Sequence, residues 1–196
     1  MAEHELNPRA ELSLSRVLVG GAAMPESVAR TFVDKFAAQA AHGCGMTETS
    51  PLAAVCQPLR KHRNAPVAQR ISMQARQGRV PFGVGMKLVD EAGNPVPRDG
   101  ETSGHLMIRG HWITSGYFGG EGGRVVEDEG WFDTGDIATI DADGYMKTTD
   151  RAKDLIKSGG EWISSITLEN AAIGHPRWPK PPSSPSPTRG GRNARC

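Results

Sequence analysis

Hydrophobic positions near the start of the chain change period twice. Residues 12–19 end in the apolar run Val17-Leu-Val19, which stops at Gly20-Gly21. That predicts a buried strand entering a tight loop. Pro25 then opens a helix, in which Val28, Phe32, Val33 and Phe36 recur at three- and four-residue spacing and turn one face inward. Residues 37–41 lead into a second glycine turn at 43–45. Strand, glycine loop, helix, short segment and glycine loop make an α/β arrangement with its loops gathered at one end of a sheet. Residues 60–79 are charged and loosely patterned. Beyond them the period becomes two: 85–90 and 105–109 alternate in polarity, with Glu-Ala-Gly-Asn-Pro and Arg-Asp-Gly turns between them. Residues 133–140 and 145–149 flank Asp141-Ala-Asp-Gly144, whose Asp-Gly marks a hairpin. Residues 80–150 therefore read as a small antiparallel β unit. After Arg151 come a short strand, another glycine turn and a helix from Ser164 or Ser165, with Ser165 as N-cap.

Composition adds limits. Hydrophobic residues make up 37% of the 196, and the 24 glycines bring the chain to an ordinary globular share. The formal net charge is +1, yet the last twenty residues hold five Lys/Arg and no acid. A nucleic-acid partner has only that stretch to rest on, and none is expected. The same stretch, 177–196, is rich in Pro and Arg and too poor in apolar residues to offset its ordering entropy, so it is expected to be a disordered tail. Its abrupt start is read as a shifted reading frame, with a true basic tail as the alternative. Cys44, Cys56 and Cys196 form no C-x-x-C pair, which suits a reducing cytosol. No signal core and no transmembrane segment are visible, and the expected location is cytoplasmic. His42/Cys44 and His105/His111 are poor zinc pairs, and no structural metal is expected.

Three constellations carry candidate chemistry. Gly43-Cys-Gly-Met-Thr47-Glu48 offers unobstructed backbone N–H groups, a hydroxyl for a phosphate oxygen and a carboxylate suited to Mg²⁺. It reads equally as a turn followed by a helix start. Trp131-Phe-Asp-Thr-Gly-Asp136 ends an aromatic-led strand in a carboxylate that can accept from two vicinal hydroxyls, or merely satisfy its own turn. Arg151, Lys153 and Lys157 follow, with Arg151 and Lys153 on one face if extended. Ser158-Gly-Gly160 with Trp162 beside it could pass a slim ligand chain, or be an ordinary turn with a core Trp.

In this order the motifs resemble the adenylate-forming superfamily, and within it the medium- and long-chain fatty acyl-CoA synthetases. The resemblance implies the C-terminal part of that family's α/β large domain, its small antiparallel β unit, and the start of its small C-terminal domain. It divides the chain into 1–79, a partial ATP-binding subdomain; 80–150, the β subdomain; 151–176, hinge and small-domain start; and the tail 177–196. It implies ATP, Mg²⁺ and CoA as cofactor and cosubstrates, with a fatty acid as the acid substrate. Gly21 and Ala22 would lie along adenine with Gly43 and Cys44. Thr47 would contact phosphate and Glu48 would bind Mg²⁺. Asp136 would hold ribose with Arg151, Lys153 would be the hinge, and Lys157, Gly160 and Trp162 would border the pantetheine channel. Two positions depart from the pattern: Cys44 replaces an aromatic that stacks on adenine, worth about 1 kcal/mol, and His105 replaces a glutamate. The family's phosphate loop and its catalytic lysine have no counterpart here, so the chain reads as a fragment expected to be inactive alone. The rivals are an aryl-CoA ligase, a peptide-synthetase adenylation domain and a noncatalytic nucleotide-binding remnant.

Overall fold

A computed structural model describes residues 13–152 and two short strands at 156–158 and 161–163. Strand β1 (Arg16–Val19), helix α1 (Glu26–Phe36) and strand β2 (Gln39–Gly45) form a β-α-β unit with β1 and β2 parallel. Strand β3 (Leu52–Val55) adds antiparallel to β2. Helix α1 starts after Pro25 and carries Glu26 in its first turn and Lys35 in its last, matching the helix dipole at both ends. It stops at Ala37, which takes a left-handed conformation and donates its N–H to the Val33 carbonyl, while the Ala38 N–H donates to that of Phe32.

Four details differ from the sequence expectation. The predicted buried strand β1 has no buried residue, and Leu18 is 68% exposed. The inward face of α1 centres on Ala29, with Phe32 and Val33 half-buried beside it, while Val28 faces solvent. The small Ala29 and Ala40 let helix and sheet approach closely, and Met24 and Ile71 complete that cluster. Glycines 43 and 45 lie inside β2 rather than in a turn. A Cβ at Gly45 would collide with the Pro51 carbonyl, so glycine there serves a close backbone approach. Finally, the loosely patterned segment contains helix α2 (Val67–Gln74), which buries Ile71, Met73 and Gln74.

The β unit follows its predicted alternation. Strands β4 (Val84–Val89), β5 (Gly104–Gly110), β6 (Phe132–Ile140) and β7 (Met146–Arg151) form an antiparallel sheet in sequential order. Its inner face supplies Met86, Leu88, Leu106, Ile108, Ile140 and Met146, and Ala53 and Ala54 of β3 join the same core. On the opposite face Trp131 lies between two cations, Lys87 and Arg109, each 4.5 Å from its ring centroid. Asp141 accepts from the backbone N–H groups of Asp143 and Tyr145, closing the predicted hairpin. Buried Tyr145 then fastens the neighbouring layer. Its hydroxyl donates to the Gln57 carbonyl at 2.8 Å and accepts from the Leu59 N–H at 2.9 Å. Strands β8 (Ile156–Ser158) and β9 (Glu161–Ile163) pair antiparallel, so a second strand follows where the sequence predicts none. The predicted helix from Ser164 or Ser165 and the tail 177–196 lie outside the described residues. Among the described residues no helix is long and apolar enough to cross a membrane.

Candidate nucleotide site

Asp136 sits within β6, rather than at the end of a strand, and a left-handed residue shapes its approach. Gly135 has φ 72°, and the β6–β7 register slips just beyond, between Ile137 and Ala138. The Gly135 N–H donates to Asp133 and the Asp136 N–H to the Thr134 hydroxyl, which fixes the kink. Directly across the ladder stands Arg151, whose Nε is 3.8 Å from Asp136 Oδ1. Two positions fifteen apart in sequence are thus register partners. The aspartate side chain is 18% exposed and the arginine 61%, so the pair is anchored on one side and free on the other. An ion pair this open is worth at most about 1 kcal/mol.

Burial raises the Asp136 carboxyl above the usual carboxylate range; Arg151 pulls it back and Asp133 pushes it further up. The anion is short of solvation where it stands. Hydroxyl donors from a bound diol would supply what water does not. Cys44 on β2 is close enough to feel this charge: burial, then Asp136, raise its thiol to about 11. The Cys44 thiol therefore stays protonated near neutrality.

The two glycine motifs also meet. A Cβ placed on Gly20 would stand 3.5 Å from the Gly43 carbonyl. Buried His42 holds the loop between them, its Nε2 at 2.9 Å from the Ala22 carbonyl and its Nδ1 at 3.1 Å from that of Ala75. Both partners are acceptors, so a neutral ring donates to only one of them. Gly21 takes φ 86°, and Gly21 and Ala22 are exposed. Beyond β2 the chain makes a 3-10 turn at Thr47–Thr49, with Thr47 exposed and Glu48 half-buried.

Glu48 is tied to a loop that the sequence pattern does not connect with it. Its Oε1 accepts from the Tyr117 hydroxyl at 2.7 Å, and its carbonyl accepts from the Thr114 N–H at 2.8 Å. Neither Tyr117 nor Thr114 was marked by a local signal, because the contacts span more than sixty residues of chain. Among the described residues no three His, Cys, Asp or Glu gather as a metal cluster. A Mg²⁺ at Glu48 would therefore be held by one carboxylate with phosphate and water oxygens, a donor set that Mg²⁺ commonly uses.

Comparison with known proteins settles the kinship. A family model described as AMP-binding enzyme matches residues 1–118. The chain belongs to the AMP-binding enzyme family. It is 51% identical over 165 residues to a 3-methylmercaptopropionyl-CoA ligase of Ruegeria lacuscaerulensis, covering 84% of this chain and 30% of that protein. It is 49% identical over 164 residues to a medium-chain-fatty-acid–CoA ligase of Ectopseudomonas oleovorans, covering the same shares, 84% and 30%. Among solved structures, o-succinylbenzoate CoA synthetase from Bacillus subtilis, in complex with ATP and magnesium, superposes with TM-score 0.71 at 26% identity. That match covers 88% of this chain and 34% of the synthetase. The AMP-binding chain thus spans about 30% of the length of the curated relatives it matches. These likenesses also agree with the expected fold, part of an adenylate-forming large domain.

Some expected site residues of this AMP-binding chain stand apart. Lys153 and Gly160 lie outside the described residues. Lys157 and Trp162 are register partners across the β8–β9 pair. His105, where the resemblance expects an acid, is half-buried on β5 opposite Val89.

Proposed function

We propose that this chain supplies the nucleotide-holding part of an ATP-dependent ligase that activates an aliphatic carboxylic acid, of medium or long chain length, as its CoA thioester. The supporting observation is the Asp136–Arg151 pair, one partly desolvated carboxylate facing one exposed guanidinium across two strands. In this reading Asp136 accepts from both ribose hydroxyls, and Arg151 turns its free side toward the nucleotide. Gly21, Ala22, Gly43 and Cys44 line the adenine, and the Thr47 hydroxyl donates to a phosphate oxygen. Glu48, oriented by Tyr117, ligates Mg²⁺, which would neutralise phosphate charge. The acid's carboxylate oxygen attacks the α-phosphorus and pyrophosphate leaves. The CoA thiolate then attacks the acyl carbonyl and AMP leaves. Lys153 serves as the pivot between the two steps, while Lys157, Gly160 and Trp162 border the path of the pantetheine arm.

The names of the relatives favour aliphatic acids, and the run Ser158-Gly-Gly-Glu-Trp-Ile-Ser-Ser165 points the same way against an aryl substrate. A second reading, a noncatalytic nucleotide binder, draws on Cys44 in the place of a stacking aromatic. Isothermal titration with ATP and with a non-hydrolysable acyl-adenylate analogue tests the shared core of both. Binding of either ligand that disappears in Asp136→Asn supports the site, and equal binding by that variant refutes it. A pyrophosphate-release assay with decanoate or palmitate is expected to show no turnover. The 196 residues contain no counterpart of the family's catalytic lysine, and such charge stabilisation is commonly the largest catalytic contribution.

A further inference from the structure

The loop between β5 and β6 is tied to the rest of the molecule at a single residue. Among the described residues, the hydrogen bonds that leave the stretch 114–123 all go to Glu48. The Thr114 N–H donates to the Glu48 carbonyl at 2.8 Å, and the Tyr117 hydroxyl donates to Glu48 Oε1 at 2.7 Å. Between these two points the Thr114 hydroxyl donates to the Gly116 carbonyl at 2.9 Å and closes a turn that sets the position of Tyr117. The flanks of the loop are anchored separately: Ile113, Val125 and Val126 pack on the core of the β unit, and Trp112 Nε1 donates to the Leu52 carbonyl. The tip, 118–123, bonds only within the loop, and Phe118 at its start is 96% exposed.

This clamp leaves Glu48 with one oxygen engaged and one open. Oε2 accepts no hydrogen bond among the described residues. The Thr114 N–H fixes the backbone of Glu48 and the phenol fixes the far end of its side chain, so a half-buried glutamate is held in one orientation. Tyr117 is itself 45% exposed, so its ring adds little to the core and its hydroxyl is the part that the contact uses. Mg²⁺ is exacting about geometry and takes few protein ligands, so its hold on a single carboxylate depends on how that carboxylate is fixed.

We propose that the 114–123 loop is a strap coupled to the metal: Tyr117 is a positioning residue that turns Glu48 Oε2 toward a nucleotide-bound Mg²⁺, and metal at Glu48 in turn locks the strap down. This coupling rests on the metal role of Glu48 proposed above and adds a means of regulating that site. It is reciprocal, since whatever the latch contributes to metal affinity the metal returns as stability of the strap.

The test titrates the full chain with ATP by calorimetry, once in excess Mg²⁺ and once in EDTA, and the ratio of the two affinities measures the metal's share. Tyr117→Phe keeps the ring and removes only the hydroxyl. It should cut that ratio about tenfold, the usual scale for a group that orients a metal ligand, and leave the affinity in EDTA unchanged. Glu48→Gln should bring the ratio to one. Hydrogen exchange over 114–123 should slow with ATP and Mg²⁺ but not with ATP in EDTA, and Tyr117→Phe should lose that protection. Phe118→Ser, in the same loop, should behave as the unaltered chain in both measurements. Circular dichroism confirms that the variants remain folded. The coupling alone is overturned if Glu48→Gln loses the metal effect while Tyr117→Phe keeps it, or if exchange in the strap ignores Mg²⁺. A metal effect that survives Glu48→Gln, or no ATP binding by the unaltered chain, overturns the metal role of Glu48 and the coupling with it.

Discussion

At the scale of single residues, Asp136 is set up to be poor for the fold and good for a ligand. Its pKa is raised in the folded chain, so the folded state holds the proton more tightly than the unfolded state does. The fold is therefore favoured relative to the unfolded chain below that raised value and loses the advantage as pH climbs through it. Asp136→Asn should flatten this slope and leave thermal stability at neutral pH equal or higher, while abolishing nucleotide binding. Melting curves between pH 4 and 7, read beside ATP titrations, check both halves; a marked drop in stability at pH 7 would mean that the carboxylate is structural. Cys44 offers the complementary gain. Cys44→Tyr should place a flat ring where the resemblance expects one against adenine and tighten ATP binding about fivefold, the factor that corresponds to about 1 kcal/mol. The same titration measures it, and unchanged affinity would remove Cys44 from the adenine wall. The pairing of Asp136 with Arg151 was expected from the family resemblance and could not be counted out from the turn, because the register slip between Ile137 and Ala138 changes which residues face each other. Tyr117 was not expected, since a hydrogen bond to a residue 69 positions away leaves no local trace.

At the scale of elements, legibility followed the strength of the period. The β unit could be read because buried and half-buried positions alternate along β4 up to Leu88 and an Asp-Gly turn closes the β6–β7 hairpin. Helix α2 could not, because its eight residues make only about two turns, too short for a helical period to stand out among neighbouring Arg and His. Strand β1 was recognised, but its burial was not, since an apolar run records what should cover it and not whether the cover is there. Between elements, Tyr145 joins the 57–59 segment to the β6–β7 hairpin through one hydroxyl. Tyr145→Phe keeps the ring and strands the Gln57 carbonyl and the Leu59 N–H. The expected loss is about 1–3 kcal/mol of unfolding free energy. Urea denaturation measures it, and a loss below about 0.5 kcal/mol would show that water replaces the phenol.

At the scale of the whole molecule, the chain spans about 30% of the length of its relatives, and the proposed function makes it one wall of a reaction chamber. Binding and turnover should part company, with ATP affinity retained and pyrophosphate release absent, as calorimetry and the coupled assay can show side by side. Family membership was legible because the glycine, carboxylate and cation motifs occur in a fixed order. The acid substrate was not, because relatives of nearly equal identity are named for different acids.

The hydrophobic rhythm changes near residue 80, yet the packing ignores that change. Ala53 and Ala54 from the first layer sit inside the second layer's core, and backbone bridges join Val55 to Arg79 and Gly78 to Met146. A shortened version beginning at the rhythm change would therefore expose its own oily underside and clump, so any trimming for expression or crystallisation has to keep both layers in one piece.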